Sequence, residues 1–334
     1  MSLGKLGQAL TAREIFDLIH EDLAQVEKRL SAESIASVDT VTAISTYLQS
    51  SGGKRLRPSL LLLAAKLTGG KASETALQLG AVVELIHAAT LVHDDVIDAA
   101  ETRRGRPSTN VKWGNHTCVL AGDWLYMQSF QIALRERSFQ VLDLLISLTQ
   151  MMVEGELLQL ERIGHIQISE ADCMQLVDRK TACLFSVCAQ LGAVSSNAAS
   201  EVREKLGEFA WNLGMAFQLV DDMLDFTARE ETLGKPVGGD LREGKVTLPL
   251  VYALECATPA EREMVATILR QRSYAEVPFA RVLSMVKKYR GIERVKERAQ
   301  AFTDKARQII SEFPESAYQR ALLAVTELVT ERDR

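Results

Sequence analysis

Six aspartates in two short stretches are the residues of this sequence best suited to chemistry. The stretches LVHDDVIDAAETRRG (91–105) and QLVDDMLDF (218–226) each place Asp-Asp-x-x-Asp inside an apolar run. On an α-helix the first and last aspartates of such a motif share a face, because they are four residues apart. Carboxylates crowded together in partly apolar surroundings need a counter-charge in order to stay ionised. The six residues are Asp94, Asp95, Asp98, Asp221, Asp222 and Asp225.

A divalent cation would supply the counter-charge that these carboxylates need. Ligands that are all oxygen atoms favour Mg²⁺ over zinc. Mg²⁺ keeps several waters and is commonly shared with substrate phosphates, so two clusters suggest a phosphate chelated between them. The alternative is an exposed acidic patch at a helix end, which apolar neighbours such as Val92 and Leu219 disfavour.

Two basic stretches provide charge for binding such phosphates. SGGKRLRP (51–58) places three cations just before Pro58, a favoured first residue of a helix, and helix N-termini attract anions. TRRGRPS (102–108) places three arginines just behind the first acidic cluster, and arginine binds phosphate through paired hydrogen bonds. Acidic and basic stretches together describe a cavity for more than one polyphosphate.

Composition narrows the class of protein. The chain has 334 residues, is 47% hydrophobic and carries a net charge of −5, so nucleic acid is not an expected partner. Five cysteines without a CxxC pair argue against a disulfide framework or a zinc site and fit a reducing cytoplasm. The longest uninterrupted apolar run, LLLLAA (60–65), is far below the roughly 18 residues that span a bilayer. No signal-peptide pattern opens the chain, and residues 1–10 are expected to be disordered or a cloning remnant.

The elements that must position these motifs are predicted to be helices. Residues 108–235 contain no proline, and their apolar residues recur every three or four positions. Several segments are apolar on most sides, which is typical of central helices. We therefore predict an all-α single domain over 1–334, with 233–245 as the only long irregular segment. The predicted helices are 12–30, 38–50, 58–68, 73–99, 116–135, 138–163, 169–194, 200–228, 246–257, 260–272, 276–289, 292–312 and 314–332.

Five motifs in this chain resemble those of the trans-polyprenyl diphosphate synthases. They are GGKRLRP, HDDVID followed by RRGRPS, KTACLF (180–185), FQLVDDMLDF (217–226) and GKPVGGDLREGKVTLPL (234–250), in the family's order. The resemblance covers about residues 50–250. It implies an isoprenoid-synthase-type helical bundle around a central apolar cavity. It also implies head-to-tail (1'-4) condensation of an allylic diphosphate, such as farnesyl diphosphate, with isopentenyl diphosphate.

The same resemblance implies the cofactor and the roles of individual residues. It implies Mg²⁺, three ions per site, with Mn²⁺ able to substitute. The implied ligands of isopentenyl diphosphate are Lys54, Arg57, His87 and Arg104, with Arg103 on the allylic diphosphate. The implied metal ligands are Asp94, Asp98 and the assisting Asp95 in one motif, and Asp221, Asp222 and Asp225 in the other. The residues implied to lie beside the carbocation or the leaving group are Lys180, Thr181, Gln218, Lys235 and Lys245. We expect the 233–245 segment to close over the substrate and exclude water.

Residues just before the first aspartate motif bear on the length of the product. Thr90 and Ala89 lie four and five residues before Asp94, about one turn deeper on roughly the same face. Both are small, whereas short-chain farnesyl synthases usually place an aromatic residue here. We therefore predict an open gate, with Ile86 or its neighbours as the floor, and a long all-trans product. The expected length is about C35–C50, with octaprenyl as the central expectation and quinone side chains as its use.

Other functions stay open at this point. A short-chain farnesyl or geranylgeranyl synthase would have the same chemistry and a shallower pocket. A non-catalytic regulatory subunit typically loses an aspartate motif or the basic loop, and both are intact here. A class I terpene cyclase would not need the GGKRLRP site for a second diphosphate. The resemblance also implies a homodimer through central helices. The cysteine pattern predicts a cytoplasmic location, and an apolar product suggests at most transient membrane contact during its release.

Overall fold

The computed structural model of this chain describes residues 10–53, 55–227 and 237–330. Within these ranges the chain forms helices, one π-helical turn (Asp178–Ala182) and a hairpin of two short antiparallel strands, β1 (Thr102–Arg103) and β2 (Arg106–Pro107). The all-α prediction is confirmed. The α-helices are α1 (Ala12–Asp17), α2 (His20–Glu33), α3 (Asp39–Ser50), α4 (Leu56–Gly69), α5 (Glu74–Ile97), α6 (Thr109–Trp113), α7 (Asn115–Arg135), α8 (Phe139–Arg162), α9 (Glu170–Val177), α10 (Cys183–Ser195), α11 (Ser200–Thr227), α12 (Gly239–Arg242), α13 (Leu248–Cys256), α14 (Pro259–Gln271), α15 (Phe279–Lys288), α16 (Gly291–Ser311) and α17 (Ala317–Thr330).

Local capping explains where several of these helices begin. Ser73 precedes α5, and its hydroxyl accepts a hydrogen bond from the backbone N–H of Ala76. At the start of α9, Ser169 and Asp172 satisfy each other's backbone donors in a capping box. Thr258 caps α14 in the same way, and a proline occupies the first helical position.

Contacts divide the chain into two compact units, each assembled from separate stretches of sequence. Unit 1 comprises Met1–Thr149, Leu184–Ala210 and Ala306–Leu328. Unit 2 comprises Gln150–Cys183, Trp211–Lys305 and Val329–Arg334. The expectation of a single domain over residues 1–334 stays a prediction.

Helix α5 forms the centre of unit 1. It packs against α2, α4 and α7, and residues 79–86 are buried on every side. In the described part of the chain, α5 is the one helix long and apolar enough to cross a membrane, but most of it is buried, as in a core helix. It runs antiparallel to α7, because Thr75 bonds to Glu136 near one end while His93 contacts Val119 O (3.0 Å) near the other.

Unit 2 has its own apolar core. Its buried side chains come from α9, the second half of α11, and α13 to α16, and include Leu219, Leu250, Ile268 and Val286. Trp211 packs edge-on against Phe302, with ring centroids 5.7 Å apart. This core holds the second aspartate motif on α11.

Four predicted segments differ from the structure, and one of them is the predicted irregular segment 233–245, part of which forms α12. The predicted helix 12–30 is interrupted at Leu18 and Ile19, and the predicted helix 169–194 contains the π-helical turn. The unassigned stretch after residue 99 forms the hairpin and α6. Apolar periodicity reveals neither the helix break nor the wider turn, because the side-chain pattern continues through both. The predicted site residues Lys54 and Lys235 lie outside the described residues.

Candidate active site

A cluster of arginines surrounds one histidine in unit 1. Arg57 lies in the first turn of α4, His87 in the middle of α5, and Arg104 at the tip of the hairpin. The three interact electrostatically, so the structure brings these predicted residues together. The Nε atom of Arg57 is buried and has no hydrogen-bond partner in the protein, which fits a site for an oxygen-rich anion.

Arg104 occupies the turn of the hairpin. Arg104 and Gly105 both have positive φ angles (52° and 73°), the conformation of a type I′ turn. A positive φ angle is strained for an arginine. The strained conformation of Arg104 therefore indicates that the position of its side chain matters for function. The guanidinium of Arg104 donates to the backbone carbonyl of Gly52. Gly53 lies against the same guanidinium, since a Cβ there would be 3.4 Å from it.

A buried carboxylate balances the charge of the arginine cluster. Glu84 on α5 is 6% exposed and accepts a hydrogen bond from Arg55 at 3.0 Å. Arg55 also bonds to Glu27 at 3.2 Å, so its guanidinium is engaged by the protein on two sides. Glu84 raises the pKa of Arg57, while burial of Arg57 lowers it by more. Glu84 therefore allows several arginines to stay charged within a small volume.

His87 is neutral in these surroundings. Burial lowers the pKa of His87 well below its ordinary value, and the nearby arginines, led by Arg57 and Arg104, lower it further. A neutral imidazole donates one hydrogen bond and accepts another without adding charge. It can bind a phosphate oxygen among arginines without adding to their mutual repulsion.

Protein donors bind both oxygens of Asp95, the middle aspartate of the first motif. Its side chain is fully buried, and Oδ1 accepts from Arg103 Nε at 2.6 Å. Its Oδ2 accepts from the backbone N–H (3.0 Å) and hydroxyl (2.9 Å) of Thr109 at the start of α6. Both oxygens are thus committed to protein donors. These contacts favour a role in orienting Arg103 over the predicted assistance in binding metal.

Asp94 and Asp98 lie at the C-terminal end of α5 and are partly exposed. The backbone N–H of Asp98 donates to the carbonyl of Asp94 at 2.8 Å, so the last turn brings both residues to one end of the helix. This last turn contains no basic residue, and a helix C-terminus already carries partial negative charge. A bound cation would offset the repulsion between the two carboxylates and the negative end of the helix. Tyr126 on α7 is close by: burial raises the pKa of its phenol, and the charge of Asp94 raises it further.

A chain of hydrogen bonds fixes the second motif in unit 2. The hydroxyl of Thr181 donates to Gln218 Oε1 at 2.7 Å, and Gln218 Nε2 donates to Asp222 Oδ1 at 2.9 Å. The amide orientation of Gln218 follows from its two neighbours, because one accepts and the other donates. Sequence reasoning predicted all three residues, and the structure brings them together.

The carboxylates of this second motif crowd one another. Burial raises the pKa of Asp222 well above its ordinary value, and the charge of Asp240 adds to the effect, ahead of the smaller contributions of Asp221 and Asp225. Asp225 is also buried, and its Oδ2 accepts from the backbone N–H of Asp240 at 3.3 Å. A divalent cation would relieve this repulsion.

Lys180 and Lys245 line one cavity in unit 2. Lys180 Nζ donates to Glu156 at 3.1 Å and to Gln159 at 3.3 Å, while Lys245 Nζ donates to Glu243 at 2.8 Å. The cavity encloses about 770 Å³ of empty space, part of it open to solvent. Its polar lining includes the two lysines together with Gln218, Asp222 and Asp240, and its apolar lining includes Ile163, Ile168, Leu176, Val177 and Val246.

The predicted chain-length residues differ in accessibility. Ala89 and Ile86 on α5 are fully buried. Thr90 keeps accessible surface, and its hydroxyl donates to the carbonyl of His87 at 2.8 Å within the same helix. Of the three, Thr90 is therefore the residue best placed to meet a bound molecule.

The carboxylates fit a divalent cation that is shared with a substrate. Among the described residues, no three His, Cys, Asp or Glu side chains already converge as a complete metal site. Mg²⁺ does not need one, because it is bound by one or two carboxylates and completes its shell with water and phosphate oxygens. The acidic last turn of α5 and the crowded carboxylates near Asp222 match that requirement.

Sequence reasoning missed several residues that support the site. Glu84 balances the arginines, Asp240 adds to the second acidic cluster, and Glu156 holds Lys180. A charged residue inside the apolar run of α5 was a signal for Glu84, and Asp240 follows a Gly-Gly pair in a charged segment. Nothing in the sequence distinguishes Glu156 from an exposed glutamate.

Arginines around a neutral histidine, two carboxylate clusters and an all-α fold define a class of enzymes that bind diphosphates with divalent metals. Residues 38–286 match the polyprenyl synthetase family model, and the chain belongs to this family. It is a trans-polyprenyl diphosphate synthase, a prenyltransferase that acts on allylic and isopentenyl diphosphates.

Relatives and solved structures resemble the chain over most of its length. Octaprenyl diphosphate synthase of Escherichia coli (strain K12) is 35% identical over 327 residues, 97% of this chain and 100% of the relative. Geranylgeranyl diphosphate synthase of Sulfolobus acidocaldarius is 38% identical over 252 residues, 73% of this chain and 76% of the relative. A polyprenyl synthase from Caulobacter crescentus CB15, crystallised with calcium and isoprenyl diphosphate, has a TM-score of 0.92 and 34% identity and covers 98% of this chain and 99% of its own.

Proposed function

We propose that this prenyltransferase makes a long all-trans polyprenyl diphosphate of about C35–C50, with octaprenyl diphosphate as the central expectation. The observation that carries the prenyl transfer is the pairing of an arginine site with two separate carboxylate clusters, and the proposed length rests on the small residues before Asp94. One reactant can be held by cations alone and the other through metal. That division suits a condensation between two diphosphates of unequal reactivity.

Isopentenyl diphosphate binds to the arginine cluster of unit 1 in this proposal. Arg57 and Arg104 contact the diphosphate oxygens, His87 contributes a neutral hydrogen bond, and Lys54 adds a further cation. Glu84 holds Arg55 away from the ligand by bonding to it. The residues supply binding energy in the ground state and keep the double bond oriented.

The allylic diphosphate would bind through divalent metal held by aspartates of the two motifs. Asp94 and Asp98 serve as ligands in one motif, and Asp221, Asp222 and Asp225 in the other. We propose Mg²⁺ as the physiological ion, three per site, with Mn²⁺ as a substitute. When bound, the metal stabilises the negative charge of the departing diphosphate. Arg103, oriented by Asp95, binds the same diphosphate.

The reaction then joins two carbons and releases one proton. The C–O bond of the allylic diphosphate breaks, and the electrons of the isopentenyl double bond form the new carbon–carbon bond. Thr181, Gln218 and Lys180 lie beside the electron-poor carbon, while Lys235 and Lys245 neutralise the leaving group. The proton passes to the released diphosphate. Exclusion of water from the site keeps the cation from being quenched.

Product length follows from the residues before Asp94. Ala89 and Thr90 are small, so the growing chain has no aromatic barrier at this depth. The full-length similarity to an octaprenyl diphosphate synthase supports a long product. A geranylgeranyl product is the second candidate, favoured by the 38% identity to a geranylgeranyl diphosphate synthase over 252 residues.

An exposed apolar stripe supports a homodimer. Seven exposed, large apolar side chains on α7 and α8 are spaced seven residues apart within each helix. Seven-residue spacing places them along one face of each helix, as in helix-to-helix association. The members are Leu120, Met127, Leu134, Phe139, Ile146, Val153 and Leu160. We propose that a second copy of the chain covers this stripe.

We also propose that the enzyme works in the cytoplasm and touches the membrane only while releasing product. All five cysteines are free thiols, and four of them are buried, which suits a reducing compartment. A product with eight isoprene units would be far too apolar to leave unaided into water.

Kinetics of three variants test the assignment of sites. Arg57→Gln is expected to raise KM for isopentenyl diphosphate at least tenfold with little effect on KM for farnesyl diphosphate. Asp94→Asn and Asp221→Asn are expected to lower kcat at least 100-fold and to raise the Mg²⁺ concentration needed for half activity. Near-normal kcat in both aspartate variants would disprove the metal assignment. An Arg57→Gln effect on the allylic substrate alone would disprove the arginine site.

A further inference from the structure

Lys180 and Thr181 lie in the one π-helical turn of the described chain, between α9 and α10. Here the backbone N–H of Cys183 donates to the carbonyl of Asp178, five residues back, instead of the usual four. Such turns are rare in proteins, and those that occur often lie at functional sites. An unfavourable backbone state persists only where surrounding contacts determine it.

One contact at the start of the turn is a partly buried hydrogen bond from an aromatic side chain. The indole N–H of Trp211 on α11 donates to Asp178 Oδ1 at 2.6 Å. The indole ring is held in turn by its edge-on contact with Phe302 on α16. Hydrogen bonds to a charged acceptor are stronger than neutral ones, so this contact fixes the first residue of the turn.

A second contact replaces a backbone hydrogen bond that is absent from the wide turn. In an α-helix the N–H of Cys183 would bond to the carbonyl of Arg179. In this turn the thiol of Cys183 donates to that carbonyl instead, at 3.0 Å. The orphaned acceptor is thereby satisfied inside unit 2.

A third contact depends on a missing side chain. Gly155 lies in the interior of α8, where glycine is unfavourable for a helix. A Cβ at this position would lie 2.7 Å from Arg179 Cβ and 3.4 Å from its carbonyl carbon. Glycine therefore lets α8 approach the turn closely, and Arg179 completes the contact by pairing with Glu154.

The wide turn directs two adjacent side chains to different partners. Thr181 reaches Gln218, which in turn donates to Asp222, and Lys180 reaches Glu156 and Gln159 on α8. Restoring a regular helix would rotate these side chains relative to those partners. The geometry of the turn therefore decides where the lysine and the hydroxyl point.

We propose that Trp211, Asp178 and Gly155 are positioning residues, which hold the π-helical turn so that Lys180 and Thr181 face the reacting carbon. The proposal rests on the function proposed above for Lys180 and Thr181. Positioning residues act on the catalytic step through others, so their loss lowers kcat rather than the binding of isopentenyl diphosphate.

Paired substitutions at Asp178 and Trp211 test this inference. Asp178→Ala and Trp211→Phe both remove the hydrogen bond, and each is expected to lower kcat about 10- to 100-fold. Asp178→Asn keeps an oxygen acceptor for the indole and is expected to recover kcat to within about threefold of the parent. KM for isopentenyl diphosphate should stay within about twofold in all three, because its arginine site belongs to unit 1.

A packing control separates positioning from general loosening of the fold. Phe302→Leu weakens the contact with the indole ring but keeps the hydrogen bond, so Tm should fall while kcat stays near the parent value. Gly155→Ala leaves the hydrogen bond intact and is expected to lower kcat about tenfold by displacing the turn. Unchanged kcat in Asp178→Ala and Trp211→Phe would overturn the inference. So would equal loss of kcat in Asp178→Ala and Asp178→Asn.

Two direct variants keep this inference distinct from the proposed function. Lys180→Ala and Thr181→Val remove the groups that the turn is proposed to aim. If both retain full kcat, the proposed roles of these residues are wrong. If both lose kcat while the Trp211 and Asp178 variants do not, the roles stand and the positioning inference fails.

Discussion

Replacing two neighbouring small residues of α5 by phenylalanine tests how the chain sets product length. Thr90 keeps accessible surface, so a phenyl ring at this position can extend into open space without displacing packed neighbours. Its hydroxyl bonds only to the carbonyl of His87 in the same helix among its described contacts, a bond that adds little to tertiary stability. We expect Thr90→Phe to change the free energy of unfolding by less than about 1 kcal/mol.

Ala89, unlike Thr90, leaves no room for a larger side chain. Its side chain has no accessible surface, so a phenyl ring must displace packed neighbours. Overpacking of this kind costs about 1–3 kcal/mol, and more for so large a side chain. We expect Ala89→Phe to lower Tm measurably in ligand-free protein, because the cost arises in the fold and not in the product.

Product sizing compares the two variants directly. Each is incubated with Mg²⁺, farnesyl diphosphate and labelled isopentenyl diphosphate, and the dephosphorylated products are separated by length. Thr90→Phe should shorten the product to about C20–C25 with turnover retained, while Thr90→Ser should leave it unchanged. The reasoning from accessibility would be refuted if Ala89→Phe shortened the product at unchanged Tm and Thr90→Phe had no effect on length.

Three further predictions concern single side chains. Asp95→Asn should lower the free energy of unfolding of metal-free protein by about 2–4 kcal/mol, because a fully buried carboxylate loses charged and hydrogen-bonded partners. Asp94→Asn should change it by less than about 1 kcal/mol, and equal losses in denaturant titrations would contradict the structural role of Asp95. Because the pKa of His87 is lowered in the fold, the unfolded chain binds its proton more readily, so this contribution to stability is complete above about pH 6.5 and decreases as pH falls. His87→Gln should make the free energy of unfolding less dependent on pH between pH 7 and 5. An unchanged slope of that free energy against pH would contradict the lowered pKa of His87. Gly122→Ala should destabilise the protein by about 1–3 kcal/mol, since its Cβ would lie 2.2 Å from His93 Nε2, and an unchanged Tm would show that the imidazole moves freely.

The helical architecture was predictable because its signals are local. Three- and four-residue periodicity and the absence of proline from 108–235 predict long helices, and α5, α7, α8 and α11 lie close to their predicted ranges. Backbone detail was not predictable in the same way. The π-helical turn at Lys180 depends on tertiary contacts with Trp211 and Gly155, which no local pattern encodes.

Residue types predicted the chemistry of the candidate site better than they predicted each residue's part in it. Clustered aspartates and arginines were sufficient to indicate diphosphate and metal. They did not reveal that Asp95 faces protein donors while Asp94 stays accessible, although both belong to one motif. The difference depends on which face of α5 packs against α6 and the hairpin. Sequence spacing alone does not determine that face. Glu84 was missed for a similar reason, since its arginine partner is 29 residues away.

The most direct test of the central claim is a time course with the unmodified chain. Metal-free protein receives farnesyl diphosphate and labelled isopentenyl diphosphate, with and without Mg²⁺, and the dephosphorylated products are sized. A Mg²⁺-dependent ladder of all-trans products that ends near C40 is the predicted result. Products that stop at C20 would contradict the long-chain assignment, and incorporation that persists without divalent metal would contradict the proposed role of the two carboxylate clusters.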